Sequence, residues 1–112
     1  MDPNDKPVLV YCTFPDVETA RAIGRALVEQ RLAACVNVLG AMTSIYNWGG
    51  ALHEDGEVAA LVKTVAARAD EVIAFVKSRH PYDTPALIVL PVTGGSAAFL
   101  AWIAAETAPE PA

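Results

Sequence analysis

The sequence is poor in cysteine, in basic residues and in long apolar runs, and each shortage excludes a class of protein. Two cysteines, Cys12 and Cys35, do not make the disulfide framework of a small secreted domain. Eight Lys and Arg against thirteen Asp and Glu give a net charge of −5, which argues against nucleic-acid or anionic-membrane partners. No apolar run approaches the ~20 residues of a membrane span, and the opening MDPNDKP lacks the apolar core of a signal peptide. We therefore expect a cytoplasmic protein.

The chain has enough apolar material for one folded domain. Hydrophobic residues make up 54% of its 112 residues, a length that fits a single core. The polar, proline-containing ends at residues 1–7 and 107–112 are predicted to be a disordered lead and tail. The sequence therefore predicts one domain over residues 8–106.

Hydrophobic periodicity predicts the element order β-α-β-β-α-β-α. The expected elements are strand 8–13, helix 16–30, strands 35–48 and 51–64, helix 69–78, strand 86–92 and a C-terminal helix after Ser96. Gly49-Gly50 signals a hairpin between the two middle strands, which fits poorly with a doubly wound parallel sheet. With right-handed crossovers, this order favours a mixed α/β (α+β) ferredoxin-like split βαβ fold. That fold has a four-stranded antiparallel sheet, two helices on one face and here a short additional C-terminal helix.

Alternation in the second strand predicts one continuous apolar face and a bend. The apolar residues in phase are Val36, Val38, Met42, Tyr46 and Trp48. Gly40 is expected to mark a bend or β-bulge within this run.

The hairpin looks too long for the domain that carries it. Each arm has about 14 residues, or ~46 Å, whereas a compact chain of this length is roughly 34 Å across. The far end would expose Tyr46, Trp48 and Leu52, and the sheet would have two open edges. Edge-to-edge assembly of identical subunits removes both problems. The alternative is that Gly40 or Gly56 folds the hairpin back on itself.

Six segments between Val8 and Ile103 resemble, in order and spacing, the CutA divalent-cation-tolerance family. They are VYCTFPD (10–16), LAACVN (32–37), SIYNWGG (44–50), KT (63–64), HPYDTP (80–85) and LPV (90–92). The resemblance implies a ferredoxin-like fold and a homotrimer whose sheets join edge to edge. It also implies a role in the response to metal ions, with copper binding, and no established enzymatic activity.

The resemblance also implies which residues would bind metal. Cys12 and His80 match two copper ligands, while Arg79 stands in place of a second histidine and Ala86 in place of a frequent carboxylate. Thiolate and imidazole are ligands that suit copper. The alternatives are that Cys12 is a buried apolar residue and that His80 interacts with the dipole at a helix C-terminus.

A second candidate site consists of Lys63, Tyr82 and Thr84, which could form a polar pocket near a subunit boundary. Such a pocket would suit a small anionic or nucleotide ligand, as in a trimeric signalling scaffold resembling the PII proteins. The alternative is that these three residues make hydrogen bonds and packing contacts at an interface.

The remaining polar motifs have structural interpretations. Cys35 is expected in the core, and Gly94-Gly95-Ser96 is expected to be a turn and helix cap. His53, beside Glu54, Asp55 and Glu57, could form a hard-metal patch but is better interpreted as part of a solvated face. The chain lacks G-x-S-x-G, H-E-x-x-H and other nucleophile signatures, so we expect no enzymatic activity.

Overall fold

The computed structural model describes residues 3–109 and confirms the predicted ferredoxin-like α+β fold. The strands are β1 (Pro7–Phe14), β2 (Cys35–Trp48), β3 (Ala51–Val65) and β4 (Leu87–Pro91). The helices are α1 (Val17–Glu29), α2 (Ala66–Arg79) and α3 (Ala97–Glu106). The strand order is β2-β3-β1-β4, and all three pairings are antiparallel. β4, with Pro91, therefore lies at a sheet edge, where a missing backbone donor is tolerated.

The described parts of the predicted lead and tail make contacts with the domain. Residues 1–2 of the predicted lead and 110–112 of the predicted tail lie outside the described residues. Within the lead, Pro3–Asp5 forms a short 3-10 helix, and the Lys6 carbonyl accepts a hydrogen bond from the Ala66 N–H at 2.8 Å. Within the tail, Thr107 is buried and its hydroxyl donates to the Ile103 carbonyl at 2.8 Å.

Helix α1 begins at its predicted cap. The Asp16 carboxylate accepts a hydrogen bond from the Thr19 N–H at 2.7 Å, and this bond holds the pKa of Asp16 below its usual value. The helix lies close to β2 because Gly24 has no side chain: a Cβ there would be 3.1 Å from Val36 Cγ1. This close approach sets the spacing between α1 and the sheet.

Helix α2 begins at Ala66, three residues earlier than the pattern predicts. Its N-cap residue, Val65, makes no side-chain capping bond, so the sequence carries no start signal there. α1 and α2 cover one face of the sheet, called here the helix face. The main residues buried between them are Val10, Cys12, Phe14, Val58, Ala60 and Val62 from the sheet, with Ile23, Leu27, Val72 and Val76 from the helices.

The β2–β3 hairpin has the predicted two-residue turn, and Gly49 and Gly50 adopt φ values of 60° and 78°. The bulge expected at Gly40 is present as a register shift between Leu39 and Ala41. The shift moves the later residues to the other side of the sheet, so the predicted single apolar face of β2 is wrong. Residues before the bulge, such as Val38, lie on the helix face, whereas Met42, Tyr46 and Trp48 lie on the opposite, open face.

Helix α3 packs at one end of the sheet and is held by two arginines. Ile103 forms a small buried cluster with Ala34 and Val65. The Arg31 Nη2 donates to the carbonyls of Ala105 and Ala108, and the Arg68 Nε donates to the carbonyl of Thr107 at 3.0 Å. Within the part of the chain that the structure covers, no helix combines the length and apolar character needed to cross a membrane.

Candidate functional site

The far half of the hairpin extends beyond the rest of the sheet. β3 pairs with β1 only from Val58 to Val65, so residues 42–48 and 51–57 pair only with each other. The molecule is consequently 48 Å long and 28 Å across. Ile45 and Trp48 are each 64% exposed and Leu52 is 73% exposed. A two-stranded ribbon with exposed apolar residues on both faces is marginal in water, so this segment is suited to contact another molecule.

The opposite edge of the sheet is also apolar and unpaired in a single chain. β4 pairs with β1 on one side only, and its Ile88, Val89 and Leu90 are all exposed. Ile88 and Leu90 lie on the open face, opposite Tyr11 and Leu9 of β1. The hairpin and the β4 edge therefore both expose apolar residues in a single chain.

A strip of alternating phenols and carboxylates runs along the open face of the hairpin. The Tyr46 hydroxyl donates to Asp55 at 2.5 Å, and the Tyr82 hydroxyl donates to Glu57 at 3.1 Å. The bond to Asp55 raises the pKa of Tyr46 to about 12, and burial followed by the bond to Glu57 raises the pKa of Tyr82. Both phenols are therefore protonated donors at neutral pH. The His53 ring stacks on Tyr46 with centroids 5.3 Å apart.

Cys12 lies in the core of a single chain. Cys12 is 0% exposed on the helix face of β1, and its Sγ donates a long hydrogen bond to the Ala60 carbonyl at 3.9 Å. Burial raises the pKa of the thiol to about 11, so it is uncharged at neutral pH. A metal ligand must be the thiolate, so this environment opposes metal binding.

His80 lies where the end of β1 meets the segment after α2. Its Nε2 is 2.7 Å from the Thr13 carbonyl oxygen, and its Nδ1 accepts the Tyr82 N–H at 3.1 Å. The ring is 8% exposed and stacks on Phe14 with centroids 4.9 Å apart. Both ring nitrogens are therefore engaged. The described residues 3–109 hold no cluster of three or more His, Cys, Asp or Glu side chains arranged for a metal ion.

The three predicted pocket residues do not meet within one chain. Lys63 lies on the open face of β3, with Nζ 5.1 Å from the centroid of the Phe99 ring. Tyr82 contacts Glu57. Glu57 lies six residues before Lys63 on β3, which separates the two residues by ~20 Å. Thr84 is exposed in the segment before β4. Within one chain, Lys63 is therefore too far from Tyr82 and Thr84 to share a pocket with them.

Several polar residues have roles that the sequence interpretation missed or misplaced. Cys35, predicted in the core, is only half-buried and lies opposite Lys63 in the sheet register, because the core in this region is already filled by Val36. Ser96 caps α3 through the Phe99 N–H, as expected of a turn and cap. The Tyr46–Asp55 contact could have been predicted from the sequence, because the Gly-Gly turn fixes the register of the hairpin and so places Tyr46 opposite His53.

Comparisons with known proteins agree with this architecture. The profile of the CutA1 divalent ion tolerance protein family matches residues 8–106. The divalent-cation tolerance protein CutA of Pectobacterium atrosepticum is 41% identical, covering 92% of this chain and 97% of the relative. The crystal structure of CutA1 from Oryza sativa superposes with a TM-score of 0.91 at 31% identity, covering 97% of this chain and 100% of that one.

A further solved structure bears on the predicted compartment. CutA from Archaeoglobus fulgidus, described as a periplasmic divalent cation tolerance protein, superposes with a TM-score of 0.88 at 35% identity. The match covers 91% of this chain and 99% of that one. A cytoplasmic location for this protein therefore stays a prediction. The profile match and the identity over most of both chains place this protein in the CutA1 divalent ion tolerance family.

Proposed function

We propose that this protein works as a cytoplasmic homotrimer in the cell's response to divalent metal ions, without enzymatic activity. The family relationship supports the link to divalent cations. The number of subunits follows from the resemblance, and the need for assembly follows from the shape of one chain. The observation that carries the proposal is the projecting hairpin, whose Ile45, Trp48 and Leu52 are mostly exposed.

Two free edges supply the means of assembly. The outer edge of β2 and the outer edge of β4 each present unpaired backbone groups in a single chain. Pairing of the projecting part of β2 with the β4 edge of a neighbour would satisfy these groups. It would also bring Ile88 and Leu90 next to the apolar hairpin. Because the two edges differ, the contact would be heterologous, and a heterologous contact whose rotation closes makes a ring. The resemblance to the family is what gives this ring three subunits.

The proposed ring also provides the setting for a ligand. Lys63 and the Tyr82–Thr84 segment, separated within one chain, could approach each other only between neighbours. A small anionic or nucleotide ligand is the chemistry that such a pocket would take. This is the second candidate function, and calorimetric titration with adenine nucleotides tests it: binding that Lys63→Ala abolishes supports it, and no heat above dilution contradicts it.

The resemblance to the family implies copper as the metal and Cys12 and His80 as its ligands. In this chain the thiol is uncharged in the core and both imidazole nitrogens are hydrogen-bonded, so the two residues do not fit that role in a single subunit. The proposed response to metal ions therefore does not depend on this pair.

A growth experiment tests the proposed function. A bacterial strain that lacks its own relative is complemented with the wild type or with Trp48→Ala, on media with graded copper or zinc. We expect the wild type to restore growth and the assembly-deficient variant to restore less at equal expression. Equal growth with both proteins, with the variant shown to be monomeric, would contradict a role for the assembled form. Asn47→Ala is the matched control, because it changes the adjacent position on the other face of β2.

A further inference from the structure

The segment that follows α2 is fastened to the end of β1 by a single imidazole. His80 Nε2 lies 2.7 Å from the Thr13 carbonyl oxygen, which can only accept, so Nε2 carries the proton. His80 Nδ1 faces the Tyr82 N–H at 3.1 Å, which can only donate, so Nδ1 carries the lone pair. These two partners define one neutral tautomer.

The surrounding rings hold the imidazole in this orientation. It stacks on Phe14 at 4.9 Å with an angle of 21° between the planes, and it contacts Tyr82 at 4.7 Å. The Tyr82 hydroxyl continues outward to Glu57 at the base of the projecting hairpin. A continuous set of contacts therefore runs from Thr13 through His80 and Tyr82 to Glu57, joining β1, the post-helical segment and the hairpin.

A metal ion would have to break this arrangement. The only ring lone pair is the one on Nδ1, and binding there removes the Tyr82 N–H from its acceptor. Binding at Nε2 requires the other tautomer and leaves the buried Thr13 carbonyl facing a lone pair. The neighbouring Arg79 offers no replacement ligand, because its guanidinium is protonated and has no free lone pair. It lies over the Phe75 ring, 4.3 Å from the centroid.

The Cys12 thiol is no better placed than His80 to bind a metal ion. Cys12 is fully buried on the helix face, between Ala60 of β3 and Leu87 of β4 in the sheet register. A metal ion could reach Sγ only if the packing of α1 and α2 on the sheet opened.

We infer that Cys12 and His80 are structural residues in this protein and that the protein does not bind copper through them. Cys12 is part of the core, and His80 is a neutral latch that joins β1, the 80–86 segment and the hairpin base. This departs from the ligand set that the family resemblance implies. It concerns the fold of one subunit and does not rest on the proposed assembly.

Copper titration tests the inference directly. Cu(II) with a competing chelator, and Cu(I) under anaerobic reducing conditions, are titrated into the wild type, Cys12→Ala and His80→Gln. We expect dissociation constants within about twofold of each other. Cys35→Ser is the matched control, because Cys35 is the other thiol and is only half-buried. A tenfold or greater loss of affinity in Cys12→Ala or His80→Gln would overturn the inference.

If Cys12→Ala or His80→Gln fails to fold, two other measurements still test the inference, because they probe Cys12 and His80 without replacing either residue. In the Cys35→Ser protein, a thiol reagent at neutral pH should modify Cys12 at least a hundredfold more slowly in the native state than after unfolding. The ¹⁵N shifts of the wild-type histidine rings should show His80 as the Nε2–H tautomer, unchanged by one equivalent of Zn²⁺. Rapid native-state modification of Cys12, or a zinc-induced change of the His80 tautomer, would show accessible ligands and refute the latch.

Discussion

Replacing Trp48 with alanine should weaken self-association much more than replacing its neighbour Asn47. Trp48 lies on the open face of the projecting hairpin and is 64% exposed in a single chain. A tryptophan buries up to ~250 Å², so roughly 100–160 Å² of its side chain is available for burial against a partner. At ~25 cal/mol per Å² that is about 2.5–4 kcal/mol, part of which alanine retains. We therefore expect a loss of about 2–3 kcal/mol per contact, or roughly 30- to 160-fold weaker association.

Sedimentation equilibrium over a dilution series is the assay. Trp48→Ala should shift the concentration at which the oligomer dissociates by at least tenfold, while its circular dichroism spectrum stays that of the folded wild type. Asn47→Ala should move the midpoint by less than threefold, because it removes only a small polar group from the other face of the strand. If both variants dissociate at the same concentration, the open face of the hairpin does not form the contact.

The fold itself supports two further predictions. Asp16→Ala should lower the melting temperature near pH 7, whereas Asp16→Asn, which keeps a cap acceptor for the Thr19 N–H, should lower it less. Because folding lowers the pKa of Asp16, the stabilisation by its charge is present above the ordinary carboxyl pKa and is lost as the pH falls through the folded value. The advantage of the wild type over both variants should therefore shrink in acid, whereas Asp16→Asn, whose amide does not titrate, should keep its advantage over Asp16→Ala. Thr64→Val should reduce the free energy of unfolding by about 1–3 kcal/mol, because the buried Thr64 hydroxyl donates to the Leu32 carbonyl at 2.7 Å. Chemical denaturation checks this, and the same change at exposed Thr43 should have little effect.

The element order and topology could be predicted because local signals and global pattern agree. The Asp16 cap, the Gly-Gly turn and the alternating strands each point to the observed fold. The start of α2 was missed because Val65 supplies no capping side chain. The error in the face of β2 has a sharper cause: one extra residue at Gly40 reverses the alternation, and periodicity alone does not show on which side a strand resumes.

The candidate site was less predictable than the fold. The sequence identified Cys12 and His80 as residues of interest, and the topology does bring the end of β1 to the segment that contains His80. Residue type alone could not show that the thiol points into the core or that Thr13 and Tyr82 occupy both ring nitrogens. Those contacts depend on strand phase and on backbone groups, which carry no residue-type signal.

The mass of the protein in dilute solution tests the central claim, that a single chain is not the functional unit. Light scattering on the eluting peak, at micromolar concentration, should give about three times the 11.8 kDa chain mass. We expect this mass because the projecting hairpin exposes Ile45 and Leu52 and because both outer edges of the sheet are free in a single chain. A stable, folded species at the mass of one chain would contradict the account.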